Sequence, residues 1–427
     1  MTKTDIVNLI HHVLAEKMAA PYVSAFSPYA RLNEDLYLDS VMVLQLLLHL
    51  ELDHGFVIPD EALAKEDFET VDTLANLLAR LENKTTAIEA PVEFDDIKVH
   101  CFVSCVCEII KKSELVDHRP FYFGVWDADI VVTDDSRISY HSATINHDFF
   151  IDWYKRIYGV TIHRWYDSAL SKEANVRRLL SLLDNKMPER NIMVMLDMYL
   201  LPERENKFNA NPFPHYVMLE TTEDPETWLM LDPDYRWEGE LPKARILEAI
   251  RSPHAVGGYY FDSSDIVPST HTAIKAYFTT CIKLDTNPMT DAVRTIIRHH
   301  VDGHKGLQLS QLAEALKELP VLSIRKYAYE HGFAFFWRAM DLDDDEFERW
   351  CDVIGKLVEI YKIIQYRAMK LAVTADEDLA RDIFQLLDEQ DQREFKIKQH
   401  LYAVFQTWCA TWEKTSIGNV SLSPAEA

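Results

Sequence analysis

The chain is poor in the features that mark secreted and membrane proteins. It has 6 cysteines among 427 residues, and no apolar run reaches the length of about 18 residues that a membrane-spanning helix needs. Its first residues, MTKTDIVNLIHH, carry polar and acidic groups where a secretory signal would have a basic end and an apolar stretch. We therefore expect a cytoplasmic protein with reduced thiols, no disulfide framework and no membrane partner.

Basic residues are also scarce, at 44 against 69 acidic residues, and the formal net charge is −25. A surface of this sign repels the phosphate backbone of nucleic acid and the headgroups of anionic lipids. The composition therefore argues against a nucleic-acid partner. The same field attracts small cations, including polyamines such as spermidine.

Changes in sequence texture predict a multidomain protein. Helical periodicity dominates the first 84 residues, strand-like runs such as IMVMLDMYL, HYVMLE and WLMLD follow, and long helical stretches at 344–373 and 376–414 end the chain. We predict the following segments: an all-α domain at 1–84, a linker at 85–97, an α+β domain at 98–265, an α-helical domain at 266–414 and a tail at 415–427.

The second helix of the first domain begins with Asp39-Ser40. Taken alone, this pair is typical of an N-cap. The surrounding words LNEDLYLDSVMVLQ and GFVIPDE, however, resemble the acyl carrier protein signature. The resemblance implies a four-helix domain in which Ser40 carries a covalent 4′-phosphopantetheine, attached by a pantetheinyl transferase. A helix start suits this attachment, because its free N–H groups and positive dipole end favour a phosphodiester.

The stretch FPHYVMLETTEDPETWLMLDPDYRW predicts a β-hairpin in the second domain. A turn centred on Glu223-Asp224 would place His215 directly opposite Asp232, and directly opposed side chains lie about 5 Å apart. A carboxylate beside an imidazole can fix the tautomer of a catalytic base. The alternative interpretation is a surface histidine and a turn-forming Asp-Pro pair.

The segment VHCFVSCVCEIIKK predicts an extended piece that enters a helix near Cys101. The N–H groups at a helix start can stabilise a thiolate, so Cys101 is the candidate nucleophile. Cys105 and Cys107 lie further into the helix, where a cysteine is more typical of a small buried residue. His100 and these three cysteines could also be metal ligands. They lack a Cys-x-x-Cys pair and could not surround zinc from one helix start, so we expect no metal.

The order of cysteine at a helix start, histidine on a strand and Asp-Pro one strand later resembles papain-like folds of the bacteriocin-leader peptidase type. It is also similar to the butirosin-pathway acyltransferase family, which moves an acyl group from a carrier protein to an amine. The words that carry this similarity include His100-Cys101, MVMLDMYLLP, His215-Tyr216 and Asp232-Pro233. It implies that Cys101 is the nucleophile, His215 the base and acid, and Asp232 the orienting acid. Asp197 and Tyr199 are candidates to line the site, and the alternative for them is a structural role at a strand end.

The fusion of a carrier to such a domain resembles the petrobactin pathway. That resemblance implies the transfer of an aryl group to a polyamine such as spermidine in siderophore biosynthesis, with an adenylating enzyme to load the carrier. Two alternatives stay open. A thioesterase or cysteine peptidase would use the same three residues, and a non-catalytic scaffold would use none of them.

The carrier prediction can be tested at Ser40. Incubation with coenzyme A and a broad-specificity pantetheinyl transferase should add one phosphopantetheine to the wild-type protein and none to Ser40→Ala. Intact-protein mass spectrometry measures the gain. An equal gain in both proteins, or none in the wild type, would contradict the prediction.

Overall fold

The computed structural model describes residues 2–18, 20, 22–38, 40–59, 68–83, 100–113, 116–140, 145–202, 204 and 211–420. The predicted linker at 85–97 lies outside these residues. So does the segment 60–67 of the first domain, and the prediction of four helices there stays a prediction.

The first domain contains the helices α1 (Lys3–His12), α2 (Ser40–His54) and α3 (Val71–Asn83). A capping box begins α1, in which the Thr2 hydroxyl accepts from the N–H of Asp5 and the Asp5 carboxylate accepts from the N–H of Thr2. Val13–Lys17 continues this helix as a π-helical turn. The first helical stretch therefore changes its hydrogen-bonding pattern part-way along.

The middle of the chain contains the elements α4 (Cys101–Lys111), β1 (Val131–Val132), β2 (Ile138–Ser139), α5 (Asp148–Tyr158), β3 (His163–Arg164), α6 (Lys172–Asp184), β4 (Arg190–Asp197), β5 (Pro214–Thr221), β6 (Thr227–Asp232), β7 (Trp237–Pro242), α7 (Lys243–Arg251) and β8 (Gly258–Asp262). Six of the strands form an antiparallel sheet with the order β3-β8-β4-β5-β6-β7, while β1 and β2 pair separately. The three strands predicted from the apolar runs are confirmed as β4, β5 and β6.

The central strands are apolar on both faces because each face is covered. Val194 and Val217 belong to one core, against which α6 and α7 pack, and Met193 and Met218 belong to the other core, which includes α4. This alternation follows from the period of two along a strand. Helix α4 packs directly on β5, and that contact brings its first residue to the sheet.

The last third of the chain is helical in the residues that are described. Its helices are α8 (His271–Cys281), α9 (Pro288–Val301), α10 (Leu312–Ala315), α11 (Leu319–Ser323), α12 (Ala328–Met340), α13 (Asp344–Thr374) and α14 (Glu377–Val420). The two long helices predicted from the sequence are confirmed as α13 and α14. The tail predicted to begin at 415 is wrong over 415–420, because α14 continues to Val420. Extending a helix costs little, and the first proline after Glu377 is Pro424.

A buried ion network joins the helical part to the segment after α4. The ammonium of Lys326 lies 2.8 Å from Asp127 and 2.6 Å from Glu394, and the ammonium of Lys398 lies 2.9 Å from Asp127. All four side chains are almost completely buried, and their charges balance. Such a network is costly to break, because the loss of one partner leaves an uncompensated charge in the interior.

Among the described helices, none combines the length and the apolar character that crossing a membrane requires.

Removal of the Lys326 charge should destabilise the protein strongly. Lys326→Met leaves Asp127 and Glu394 with one ammonium between them, and we expect it to lower the free energy of unfolding by about 3–5 kcal/mol. Urea denaturation measures the change. Lys356→Met, at an exposed pair with Glu359, is the matched control and should change it little. Equal effects of the two substitutions would contradict a stabilising network.

Candidate active site

Cys101 is the first residue of α4. His100 precedes it in an extended conformation, and its Nδ1 accepts a long hydrogen bond from the N–H of Val103 at 3.5 Å. Cys101 is 5% exposed, so the residue is buried and shielded from bulk water. The helix start predicted near Cys101 is confirmed.

The start of α4 is held by the turn that follows β6. One carboxylate oxygen of Asp234 accepts from the N–H of His100 at 3.1 Å and from the hydroxyl of Ser104 at 2.8 Å. Further along α4, the thiol of Cys105 donates to the carbonyl oxygen of Tyr216 on β5 at 3.6 Å. Cys105 therefore has a packing role. These contacts fix the position of Cys101 relative to the hairpin.

The hairpin forms, but its predicted register is wrong by two residues. Leu219 pairs with Met230, and Thr221 pairs with Trp228. The strand pairing is centred on Asp224-Pro225. The carbonyl oxygen of Asp224 accepts from the N–H of Thr227, and the proline takes the second position of that turn, which its fixed φ favours. The prediction had centred the turn one residue earlier.

His215 and Asp232 are nevertheless in contact. The Nε2 of His215 lies 2.9 Å from a carboxylate oxygen of Asp232, and both side chains are buried. A shift of two residues keeps each side chain on its own face of the sheet, so the two side chains become diagonal neighbours instead of opposed ones. Their predicted proximity is confirmed, while their catalytic roles remain predictions.

Arg204 binds the other oxygen of Asp232 at 2.9 Å. Its guanidinium also stacks on the ring of Trp237, at 3.9 Å from the centroid. Both charges are buried, at 4% and 0% exposed for Arg204 and Asp232. Asp232 thus links a histidine and an arginine through its two oxygens.

The His215–Asp232 pair is ionised at neutral pH. Burial lowers the pKa of His215, but the Asp232 carboxylate and the nearby Cys101 thiol outweigh it and hold that pKa well above 6.5. Burial raises the pKa of Asp232, but the charges of His215 and Arg204 hold it below 3.8. The Nδ1 of His215 is buried and makes no hydrogen bond of normal geometry within the described part of the chain. It is the nitrogen that Asp232 leaves available to the thiol.

Tyr140 contributes a hydroxyl on the sulfur side of the site. Its hydroxyl donates to the Sγ of Cys101 at 3.7 Å, and its backbone N–H donates to Glu318 at 2.6 Å. Burial raises the pKa of Tyr140 well above 10, and the Cys101 charge adds to this effect. The phenol therefore stays protonated and remains a hydrogen-bond donor.

The carboxylate of Asp197 has structural partners. One oxygen accepts from the N–H groups of Tyr199 and Phe213, and the other accepts from the hydroxyl of Ser252. It holds the end of β4 beside the start of β5. Tyr199 is 47% exposed. These contacts favour the structural alternative for Asp197, although Asp197 pairs with Pro214, one residue before His215.

Among the described residues, one group of three potential metal ligands lies together. Ligand atoms of His100, Asp129 and His147 are within 4.8 Å of one another. The Nδ1 of His100 accepts from Val103, which leaves its ring proton on Nε2, 3.2 Å from Asp129. A metal on Nε2 would require the opposite tautomer and the loss of that cap. The group is therefore better described as a hydrogen-bonded His–Asp pair beside His147, whose pKa burial lowers to about 3.

Ser40 is the first residue of α2, as the carrier signature predicts. The free N–H groups of a first helical turn are available there to a phosphodiester. This position fits a phosphopantetheine attachment.

Comparison with known protein families covers the middle and the last part of the chain. Residues 96–266 match the DUF6005 N-terminal domain, and residues 272–420 match the DUF6005 C-terminal domain. The petrobactin synthase of Bacillus anthracis is 44% identical over 312 residues, which cover 73% of this chain and 95% of that protein. The chain belongs to the petrobactin synthase family.

This member of the petrobactin synthase family also contains an acyl carrier sequence. The acyl carrier protein AsbD of Bacillus anthracis is 33% identical to it over 82 residues, which cover 19% of this chain and 90% of that protein. A synthase and a carrier that are two proteins in Bacillus anthracis are thus similar to parts of one chain here.

Three residues of the candidate site were not predicted from the sequence. Arg204 and Tyr140 come from irregular segments that have no periodic pattern, so no local signal marks them. Asp234 could have been found from the sequence, because Asp232-Pro233-Asp234 has an acidic residue on each side of a proline. A turn of that composition can direct two carboxylates to different partners.

The raised pKa of His215 makes its contribution to stability depend on pH. A histidine whose pKa is raised on folding stabilises the protein fully below about pH 6.5, the unfolded value, and loses this contribution as the pH rises through the folded pKa. The stability advantage of the wild type over His215→Gln should therefore decline between pH 6 and the alkaline range. Urea denaturation at several pH values measures it. An advantage that grows with pH would mean that His215 is neutral in the fold.

Proposed function

We propose that this protein is an amide-forming acyltransferase of siderophore biosynthesis, with a papain-like cysteine site. It transfers an acyl group from its own carrier domain, through Cys101, to the amine of a small molecule. One observation carries the proposal: Cys101 begins a helix beside the buried, ionised His215–Asp232 pair, with the Tyr140 hydroxyl on its sulfur. This is the arrangement that an activated cysteine nucleophile needs.

Ser40 provides the base of the arm, at the start of α2. When bound there, 4′-phosphopantetheine supplies the acyl group as a thioester. A pantetheinyl transferase would attach the arm, and an adenylating enzyme would load it. Because carrier and synthase share one chain, the tether keeps the carrier at a local concentration of roughly millimolar order.

The first step moves the acyl group to Cys101. The Cys101 sulfur attacks the acyl carbonyl, and the proton of its thiol is held on the Nδ1 of His215. That proton then passes to the sulfur that leaves. One thioester is broken and one is formed, so the exchange is close to balanced in free energy.

The negative oxygen that develops during this attack needs donors. The N–H groups at the start of α4 and the protonated Tyr140 hydroxyl are two such sources beside Cys101. One such donor is worth about 3–4 kcal/mol where mutation has measured it.

The second step forms the amide. A neutral amine attacks the Cys101 thioester, the amine proton passes to His215, and the Cys101 sulfur leaves. Asp232 and Arg204 keep the imidazole in place throughout, because both oxygens of the carboxylate are bound. The burial of Cys101 limits the access of water that would hydrolyse the thioester.

The acceptor we propose is a polyamine such as spermidine. The net charge of −25 attracts cationic substrates, and an aryl acyl group with a polyamine acceptor is what the carrier-synthase resemblance in the sequence implies. The amine attacks in its neutral form, and His215 is the group positioned to receive the one proton that the amine loses as the amide forms.

Substitution of Cys101 tests the mechanism. Cys101→Ala should reduce amide formation by about a thousandfold or more while Ser40 still accepts the arm, because the nucleophile is lost and the carrier is intact. Cys105→Ala is the matched control on the same helix and should keep most of the rate, with some loss of stability. The arm is loaded with a radiolabelled acyl group, and product is measured after spermidine is added.

The same assay separates transfer from hydrolysis. Release of free acid at the same rate with and without spermidine would favour a thioesterase or peptidase. Amide formation by Cys101→Ala at the wild-type rate would contradict the assigned nucleophile.

A further inference from the structure

Helix α2 is too apolar for a helix of a separate small carrier. Its residues from 41 to 51 include eight apolar side chains: Val41, Met42, Val43, Leu44, Leu46, Leu47, Leu48 and Leu50. A helix that is apolar on nearly all sides must be covered on more than one side. Three helices of a domain of about 84 residues can cover only one face of it.

Two different faces of α2 are in fact buried. Residues at positions 43, 46, 47 and 50 form one row, and Val41, Leu44, Leu48 and Glu51 form the other, because residues three and four apart share a helix face. The apolar residues of the second row are at most 8% exposed. Between positions 41 and 51, Gln45 is the only exposed residue. The second row therefore requires a partner surface.

Helix α2 contacts α13 of the helical domain, and the contact includes the last residue of the second row. At the end of this row, one carboxylate oxygen of Glu51 accepts from the hydroxyl of Tyr366 and the other from the ammonium of Lys370, each at 2.6 Å. Tyr366 and Lys370 are one turn apart on α13. Glu51 is 15% exposed, so its charge is partly desolvated and depends on these two partners.

The α13 surface is connected to the candidate active site by short contacts. The side-chain amide of Gln365, next to Tyr366, donates to the carbonyl oxygen of Leu316 at 3.2 Å. Two residues further on, Glu318 accepts from the N–H of Tyr140, whose hydroxyl contacts Cys101. The carrier thus rests on the helix that supports one wall of the site.

We propose that the Tyr366–Lys370 surface of α13 is the docking site from which the carrier domain delivers its acyl group, and that Glu51 is its recognition residue. The occupant is the carrier domain of the same chain, and the proposal rests on the proposed function. The docked face combines apolar side chains with one carboxylate, that of Glu51, which binds two partners at once. Docking by this pair fixes the rotation of α2 about its axis, because Glu51 must meet both partners at once.

The separation of carrier and synthase in Bacillus anthracis has a consequence for this surface. Where the carrier is a second protein, the same docking must occur between chains. In the fused chain the tether replaces part of the binding free energy, so a contact with a single ion pair is sufficient.

Zero-length cross-linking of the full-length chain tests the contact directly. A water-soluble carbodiimide joins a carboxylate to an amine only when they touch, and the digested protein should yield a Glu51–Lys370 cross-linked peptide. The Lys3–Asp72 pair, at 2.6 Å within the carrier, is the internal control. Glu51→Gln should lose the first cross-link and keep the second. A wild-type digest with the control cross-link alone would overturn the proposal.

Charge reversal tests whether this contact serves transfer. Glu51→Lys and Lys370→Glu should each slow amide formation about fivefold to tenfold, and the double variant should recover most of the rate because the pair is restored. Lys356→Glu, the same change elsewhere on α13, should leave the rate unchanged. Single variants at the wild-type rate, or a double variant no faster than the singles, would overturn the docking role. Because the cross-link forms whether or not Cys101 reacts, a cross-linked wild type that makes no amide would contradict the proposed function alone.

Discussion

The candidate site depends on one turn, Asp232-Pro233-Asp234, which directs two carboxylates to two different elements. Asp232 binds His215 and Arg204, while Asp234 binds the backbone of His100 and the hydroxyl of Ser104. Proline between them fixes the backbone so that the two side chains diverge. Without this turn, the helix that carries the thiol and the strand that carries the imidazole would keep only their direct packing contact.

The rest of the architecture serves this arrangement. The sheet is covered on both faces, which keeps the hairpin rigid, and α4 lies on β5 with the Cys105 thiol on a strand carbonyl. The helical domain supplies Glu318 for Tyr140 and the α13 surface for the carrier. A buried ion network then fixes the helical domain to the segment after α4. The carrier, the supporting helices and the thiol are thus parts of one continuous set of contacts.

The sequence alone predicted the structural features that depend on local periodicity. The helix start at Cys101, the three central strands and the long helices α13 and α14 follow from periodicity, and the His215–Asp232 contact follows from the period of two along a hairpin. The exact pairing did not follow, because it depends on which turn position Pro225 occupies. Arg204, Tyr140 and the Glu51 contact join residues far apart in the chain, and no periodic pattern reports such contacts. The apolar character of α2 was visible in the sequence, but only the contact with α13 explains it.

In the proposed reaction, the acyl group passes through Cys101 on its way from Ser40. Peptide mapping by mass spectrometry of the acyl-loaded protein, quenched at low pH before any amine is added, tests this most directly. We expect the acyl mass on two peptides of the wild type, those that contain Ser40 and Cys101, and on neither in Ser40→Ala. An acyl mass on the Ser40 peptide alone, in a protein that goes on to form amide when spermidine is added, would contradict it.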